Sequence, residues 1–392
     1  MTESRLEEFR QLVFATEPLQ EELRDLTDRK NFVTRLTDLG AAHGYHFTAA
    51  DVDEAMRRIS AAPGCDDHIT PTSETFHDWM PIAFHWFETD HPVVEWCYMG
   101  SDRFTDSFFE DTVRRRMRAP FSRLFRRRTP IEFVGEVCMQ SSIIEPTGFI
   151  FHTSRCGSTL VAQMLAGLSS NIVISEAPPV SSIIRAPVSG GERRRWLRWM
   201  INAFGRRRRN TDRNYFLKFD SWNILDLDLI RSTFPEVPWI FLYRNPVEVI
   251  VSHMRQRGLQ MVPGGSMASL LPDVTLTEAL EMPAEEYCAK ILARFCNRAV
   301  ENVSDKNALL VNYDQLPEAV TSIIAEHFGV NFSPNDMRQM NDLARFNAKT
   351  PQMNFEPDSD RKRTEASEAA RRAAAIWLDP IYEQLENMRS NI

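Results

Sequence analysis

The stretch from residue 148 to residue 176, GFIFHTSRCGSTLVAQMLAGLSSNIVISE, constrains the fold of this 392-residue chain more than any other. It begins with a short apolar run, residues 148–153, which is typical of a buried parallel strand. A turn through Gly157 follows, and Ser158 and Thr159 open a helix with apolar residues at helical spacing. The first N–H groups of a helix have no intrahelical partner, and the helix dipole favours negative charge there. Strand, turn and helix start therefore predict an anion-binding loop.

The side chains of this loop indicate which anion it would hold. Gly157 lets the backbone approach a ligand closely, Ser158 and Thr159 add hydroxyl donors, and Arg155 adds a permanent charge. A loop for nucleoside triphosphates needs a Lys directly before its Ser or Thr, and Gly157 stands there instead. We therefore expect an anion with fewer charges and no obligatory metal. An ordinary strand-to-helix turn with Arg155 on the surface is the alternative.

Predicted strands and helices alternate from residue 148 onward. Further strands are expected at 171–175, 215–219, 239–243 and 308–312, a proline-rich loop at 176–189 and a closing helix at 365–388. This alternation predicts the α/β class, with an open parallel sheet covered by helices on both faces, and ligands bind at the carboxyl ends of such strands. A charged residue stands at or just past the end of each of the first four strands: Arg155, Glu176, Lys218 and Arg244.

The fourth strand predicts a second anion position on the same edge of the sheet. Arg244 stands at its tip, and Pro246 suits the first turn of the helix that follows. Ser252 falls two helical turns later, so its hydroxyl and Arg244 could hold an anion together. Two such positions predict a ligand with two separated anionic groups. An ordinary salt bridge is the alternative role for Arg244.

The rest of the chain predicts three modules. Residues 1–60 show amphipathic helical spacing, residues 61–147 a linker and an aromatic-rich cap, and residues 148–392 the α/β domain. The helical module resembles the nitrogen-fixation leader-peptide family, although a docking helical hairpin is an equal alternative. The matching positions are Phe9, Leu19, Gln20, Leu23, Phe32, Val33, Leu36, Gly44, Tyr45, Phe47, Thr48 and Asp53.

Composition excludes several functional classes. The formal net charge of −8 argues against general nucleic-acid binding, although arginine clusters at 114–116, 126–128, 193–195 and 206–209 could form solvated faces or an anion-collecting rim. The six cysteines contain no C-x-x-C pair, which argues against a zinc site and fits a reducing cytosol. Without an apolar signal core or membrane-length run, we expect a cytoplasmic protein with no membrane partner. The oligomeric state stays open.

Three motifs together resemble the sulfotransferase family over residues 148–385. They are FHTSRCGSTL, LYRNPVEVIVSH with Arg244 and Ser252 eight apart, and VNYDQL at 311–316. The tyrosylprotein and bacterial-type members are the more similar ones. The resemblance implies a P-loop-like fold and 3′-phosphoadenosine 5′-phosphosulfate (PAPS) as the sulfuryl donor. It also implies a hydroxyl or amine acceptor, and the N-terminal resemblance makes a peptide or peptide-derived natural product attractive.

The same resemblance implies a role for each site residue. Arg155, Gly157, Ser158 and Thr159 would hold the 5′-phosphosulfate, with Cys156 filling a position where Ser is commoner and affecting only packing. Arg244 and Ser252 would hold the 3′-phosphate. Lys218 would steady the bridging oxygen, and Glu176 would be the general base, with a pKa that partial burial raises toward neutrality. A surface position for Lys218 and a simple ion pair for Glu176 are the alternatives.

The last long segment without regular periodicity predicts a lid over the nucleotide. Residues 346–363 lack periodicity and predict a long loop that folds over the nucleotide, with Lys349, Lys362 and Arg363 as candidate phosphate contacts. A disordered surface loop is the alternative. The competing functions are an ATP-dependent P-loop phosphotransferase and a non-catalytic nucleotide-binding scaffold that presents the N-terminal module.

Overall fold

A computed structural model describes residues 2–61, 76–86, 92–265 and 270–390. Contacts within the chain divide it into two compact units. Unit 1 comprises Met1–Glu145 and Ala177–Asp212, and unit 2 comprises Pro146–Glu176 and Arg213–Ile392. The module boundaries expected at residues 60 and 147 stay predictions, and residues 62–75 and 87–91 of the expected linker and cap lie outside the described residues.

The described residues form helices and strands with the following bounds. The helices are α1 (Thr2–Ala15), α2 (Glu17–Arg24), α3 (Arg29–Ala42), α4 (Ala49–Ala61), α5 (Phe109–Arg116), α6 (Pro120–Leu124), α7 (Ile131–Met139), α8 (Ser158–Gly167), α9 (Pro178–Ile184), α10 (Gly190–Phe204), α11 (Leu227–Thr233), α12 (Pro246–Arg255), α13 (Leu276–Glu281), α14 (Ala284–Asn302), α15 (Glu318–Thr321), α16 (Ile323–His327), α17 (Pro334–Leu343), α18 (Ser359–Glu365), α19 (Glu368–Trp377) and α20 (Asp379–Ser390). The strands are β1 (Trp79–His85), β2 (Val93–Tyr98), β3 (Arg127–Pro130), β4 (Gly148–His152), β5 (Asn171–Ser175), β6 (Asn214–Lys218), β7 (Trp239–Tyr243), β8 (Ala308–Asn312), β9 (Phe346–Asn347) and β10 (Thr350–Asn354).

Unit 1 packs the N-terminal helices and a three-stranded antiparallel sheet, β1-β2-β3, around one aromatic core. Phe14 of α1 lies with its ring centroid 5.5 Å from that of Phe125. The guanidinium of Arg127, on β3, lies 4.3 Å from the ring centroid of Phe14 and 4.5 Å from those of Phe76 and Trp79. The first 60 residues thus share a core with the aromatic segment that follows them.

Unit 2 is built on a five-stranded parallel sheet in the order β5-β6-β4-β7-β8. Nearly every residue of these strands is buried, because apolar and aromatic side chains occupy both faces. Helix α8 covers part of the sheet, and Met164 and Leu165 pack in one cluster with Ile150, Phe216 and Ile240. The predicted α/β class, a parallel sheet flanked by helices, is confirmed.

Three segments differ from the sequence prediction. The proline-rich stretch expected as a loop at 176–189 contains α9, because Pro178 and Pro179 suit a first helical turn. Residues 346–363, expected as an irregular loop, contain the antiparallel pair β9–β10 and α18. The closing helix expected at 365–388 is divided into α19 and α20, because Pro380 has no N–H to continue the hydrogen-bonding pattern.

Candidate active site

The loop between β4 and α8 has the backbone of an anion cradle. Ser154 (φ 71°), Arg155 (φ 54°) and Gly157 (φ 87°) are all in the left-handed region. A Cβ at Gly157 would lie 2.6 Å from Leu316 Cδ1 and 2.9 Å from Tyr313 Cδ2, so a glycine is required there. Helix α8 starts directly after Gly157, and its first N–H groups face the turn without helical partners.

Two hydrogen bonds tie this loop to neighbouring elements. Arg155 donates from Nη2 to the carbonyl of Gln256 (2.7 Å), which follows α12. The fully buried thiol of Cys156 donates to the carbonyl of Leu242 on β7 (3.2 Å), so this side chain bonds as well as packs. The loop is therefore held from two sides before any ligand binds.

A cavity of about 260 Å³ opens onto this loop. Seven of the nine predicted site residues line it, and they come from β4–α8, the end of β7 and α12. The lining is Arg155, Cys156, Gly157, Ser158, Thr159, Leu160, Arg244, Ser252, Tyr313, Phe346, Asn347, Ala348, Lys349, Phe355, Asp358 and Lys362. The two expected anion positions thus share one cavity.

Arg244 is held rigidly at the edge of this cavity. Its Nε donates to Glu248 Oε2 (2.6 Å), and its Nη2 donates to Asp358 Oδ1 (2.9 Å). The guanidinium also lies 3.8 Å from the ring centroid of Tyr313. Arg244 therefore makes salt bridges, the alternative considered above, and lines the cavity as well.

Glu176 and Lys218, the other two predicted site residues, are absent from the lining of this cavity and form an ion pair with one another. Glu176 has a φ of 55° directly after β5, and its N–H donates to the carbonyl of Lys218 (2.8 Å). Lys218 Nζ lies 2.6 Å from Glu176 Oε1, and its side chain is fully buried whereas 23% of the Glu176 side chain is exposed. The surface position considered for Lys218 is therefore wrong.

His152 completes this cluster at the end of β4. Its Nδ1 accepts the Ser154 N–H (3.0 Å), which leaves Nε2 to donate to the carbonyl of Phe219 (3.1 Å). The same Nε2 lies 3.3 Å from Glu176 Oε1. One imidazole therefore connects the anion-binding loop with the expected base, a link that the sequence prediction missed because nothing marks a strand-end histidine.

The charge state expected for Glu176 is wrong. Burial by itself works to raise the pKa of this carboxyl, but the Lys218 ammonium and the His152 hydrogen bond outweigh it and lower the pKa well below its usual range. The sequence argument counted burial and omitted the cation, which is in contact with the carboxylate. Glu176 is thus an anion at neutral pH.

The segment 346–362 contributes two cations and two aromatic rings to the cavity. Lys349 and Lys362 line it as predicted, whereas Arg363 is not in the lining and pairs with Glu248 instead (2.7 Å). Although Lys349 as a residue is exposed, partial desolvation of its ammonium, together with the charges of Arg155 and Lys218, lowers the pKa of Lys349 to about 8. The half-exposed rings of Phe346 and Phe355 also line the cavity, and the sequence prediction missed both.

The described residues lack both a metal-ligand cluster and a helix of membrane-spanning character. Within the described ranges, no three His, Cys, Asp or Glu side chains are grouped to hold a metal ion. None of the described helices combines the length and apolar character needed to cross a bilayer.

Comparisons with known proteins find similarity in structure only. No protein-family model matches the chain, and no curated protein matches it in sequence. A sulfotransferase from Alicyclobacillus acidocaldarius is 12% identical, covering 63% of this chain and 97% of its own, with a TM-score of 0.38. Sulfotransferase STF1 from Mycobacterium tuberculosis H37Rv is 16% identical, and the match covers 74% of this chain and 92% of STF1, with a TM-score of 0.35.

Mouse sulfotransferase SULT7A1, solved in complex with PAP, is 12% identical, covering 66% of this chain and 87% of its own, with a TM-score of 0.29. These three similar structures are sulfotransferases, but the identities and TM-scores are low. Likenesses at this level do not assign a function to the chain.

Proposed function

We propose that this chain transfers a sulfuryl group from PAPS to a hydroxyl or amine acceptor. The observation that supports this most directly is that the loop 155–159 and the pair Arg244 and Ser252 line the same cavity. PAPS carries a phosphosulfate at one end and a phosphate at the other, and therefore matches two cationic positions joined by one cavity. The absence of a Lys before Ser158 disfavours a nucleoside triphosphate.

The residues of the cavity fit the separate groups of this donor. Arg155 and the N–H and hydroxyl groups of Ser158 and Thr159 would hold the 5′-phosphosulfate. Arg244 and Ser252 would hold the 3′-phosphate. The rings of Phe346 and Phe355 offer flat apolar surfaces on which a purine base can stack.

The chemistry would rely on positioning and on charge. A bond forms between the acceptor oxygen and sulfur while the bond from sulfur to the leaving phosphate oxygen breaks, by analogy with phosphoryl transfer. Arg155 and Lys349, which line the cavity, would stabilise the negative charge that develops on that phosphate. Lys218 is fully buried outside the lining, so its charge would act on the phosphate through space. Glu176 is ionised and would accept the acceptor's proton as the new bond forms, with less driving force than an ordinary carboxylate because Lys218 and His152 lower its pKa.

Calorimetry with three nucleotides tests the proposal. We expect adenosine 3′,5′-bisphosphate and PAPS to bind without added metal, and ATP with Mg²⁺ to bind much more weakly. A clear preference for ATP with Mg²⁺ would instead favour a phosphotransferase. Binding of PAPS without turnover, across a screen of hydroxyl and amine acceptors with labelled donor, would favour the nucleotide-binding scaffold.

A further inference from the structure

A carboxylate of the chain itself occupies the second cationic position of the cavity. Asp358 Oδ1 lies 2.9 Å from Arg244 Nη2, and Asp358 Oδ2 lies 2.8 Å from Lys362 Nζ. Arg244, Lys362 and Asp358 all line the cavity. Asp358 therefore bridges two cations at the place where a ligand's second anionic group would bind.

The second carboxylate on Arg244 has a different position. Glu248 is 1% exposed and is absent from the lining of the cavity. Its Oε2 accepts from Arg244 Nε, and its Oε1 accepts from Arg363 Nε. It orients the guanidinium from behind. Asp358, by contrast, bonds Nη2 on the cavity side, together with the hydroxyl of Ser359 (3.0 Å). Only Asp358 therefore competes with a ligand.

The charge balance allows a ligand to displace this carboxylate. Burial works to raise the pKa of Asp358, but its bonds to Lys362 and Arg244 lower it, so the group is ionised at neutral pH. A quarter of its side chain (26%) is exposed, which leaves it accessible from the cavity. A phosphate monoester carries up to about two charges and three acceptor oxygens, against one charge and two oxygens on the carboxylate.

We propose that Asp358 is a placeholder carboxylate, which neutralises Arg244 and Lys362 until the second phosphate of the nucleotide displaces it. This inference rests on the proposed function. It makes Asp358 a residue that determines specificity, because a ligand without that phosphate leaves the carboxylate in place. It also favours product release, since Asp358 can take back both cations as the bisphosphate leaves.

Nucleotide binding to an Asp358→Asn variant tests the inference. We expect adenosine 3′,5′-bisphosphate to bind about fivefold to tenfold more tightly, and to dissociate more slowly, because no internal anion competes with its 3′-phosphate. Adenosine 5′-phosphate lacks that group, so its affinity should change by less than about twofold. Asp360→Asn is the matched control, because Asp360 is exposed, lies in α18, which begins directly after Asp358, and is outside the lining.

The outcomes separate this inference from the proposed function. Weaker bisphosphate binding by Asp358→Asn would mean that Asp358 only supports Arg244 and would overturn the inference. The inference would also be overturned if Asp360→Asn bound the bisphosphate as much more tightly as Asp358→Asn does. The same holds if Asp358→Asn tightened the binding of adenosine 5′-phosphate equally, because the effect would then come from the net charge and not from the 3′-phosphate. If the wild-type chain binds no adenosine bisphosphate, the proposed function fails and the inference fails with it. Thermal melting of both variants checks that each is folded.

Discussion

At the scale of single residues, the chemistry of the site depends on which groups touch Glu176. Its pKa is lowered because the buried Lys218 ammonium lies 2.6 Å away and His152 donates toward the same oxygen. A carboxylate surrounded only by apolar groups would be protonated near neutral pH instead. The ion pair therefore keeps Glu176 ionised at neutral pH. It also makes the fold depend on both residues, because loss of the carboxylate would leave the buried Lys218 charge without compensation.

Replacing Glu176 by Gln should remove proton transfer and keep donor binding. We expect kcat to fall by about 10²–10⁴-fold, while the Kd of adenosine 3′,5′-bisphosphate changes by less than about threefold because Gln can still accept from Lys218. Rates would be measured with an acceptor found by screening, and the exposed Glu318→Gln serves as control. In the wild type, Glu176 itself should cause no change in rate from about pH 5 to 7.5, because its lowered pKa keeps the base ionised. His152, 3.3 Å away, has a raised pKa and is the neighbouring group that titrates closest to this range. An acid limb between pH 6 and 7 that is absent from the residual rate of Glu176→Gln would contradict the prediction.

Lys349 should make donor binding depend on pH in the alkaline range. Its pKa is lowered to about 8, so the ammonium loses its proton, and its attraction for an anion, as the pH rises through that value. We expect the Kd of adenosine 3′,5′-bisphosphate to rise about tenfold between pH 7 and 9. Lys349→Arg stays protonated and should abolish the dependence. A flat wild-type profile measured by calorimetry would show that Lys349 does not contact the nucleotide.

At the scale of elements, the cradle depends on one backbone conformation between β4 and α8. Gly157 has a φ of 87°, where a side chain is strained, and its missing Cβ makes room for Leu316 and Tyr313. Both neighbours come from the segment after β8, so this turn cannot move without moving the far side of the cavity. The glycine therefore serves the packing between elements as well as the turn.

A Gly157→Ala substitution should reshape the cradle. We expect adenosine 3′,5′-bisphosphate to bind at least about tenfold more weakly, and the free energy of unfolding to fall by about 1–2 kcal/mol from backbone strain alone. Gly190→Ala is the matched control, because a Cβ there meets nothing within 4 Å and should be neutral or slightly stabilising. Calorimetry and chemical denaturation give the two quantities. Unchanged nucleotide binding in Gly157→Ala would rule out the loop as the anion site.

At the scale of the whole molecule, the residues that line the cavity all belong to unit 2. Unit 1 has its own core, in which Arg127 is 1% exposed and stacked on three aromatic rings. Because α1 contributes Phe14 to that core, removing the first 60 residues would expose buried aromatic surface. A point substitution therefore tests whether unit 1 is needed for donor binding with less disruption than a deletion of these residues.

Replacing Arg127 by Ala should destabilise unit 1 and leave donor binding unchanged. Loss of the buried side chain should cost about 2–4 kcal/mol of unfolding free energy, from the emptied volume and the lost cation–π contacts. The control Arg114→Ala removes an exposed partner of Asp111 and should cost less than about 0.5 kcal/mol. Differential scanning calorimetry with and without adenosine 3′,5′-bisphosphate measures both effects. A large loss of nucleotide affinity in Arg127→Ala would contradict this division.

The arginine clusters show why composition alone misleads. The sequence predicts solvated faces or an anion-collecting rim for residues 126–128 and 206–209. In unit 1, however, Arg127 and Arg206 are buried, and Arg206 donates to the carbonyls of Phe76 and Trp79. A run of arginines gives no indication of which members face inward, because that depends on the carbonyls and rings that the fold brings to them.

What the sequence by itself determines is local. Continuous apolar runs specify the five buried strands, and Gly157 with the following Ser and Thr specifies the turn and the start of α8, since these depend on neighbours a few residues apart. The parallel order of the strands then brings the predicted residues to one edge. Only the tertiary structure decides their charge states and their partners. The Lys218 ammonium keeps Glu176 ionised, and the Asp358 carboxylate forms an ion pair with Arg244. Electrostatic energy depends on distance through space and on burial, and neither can be read from positions along the chain.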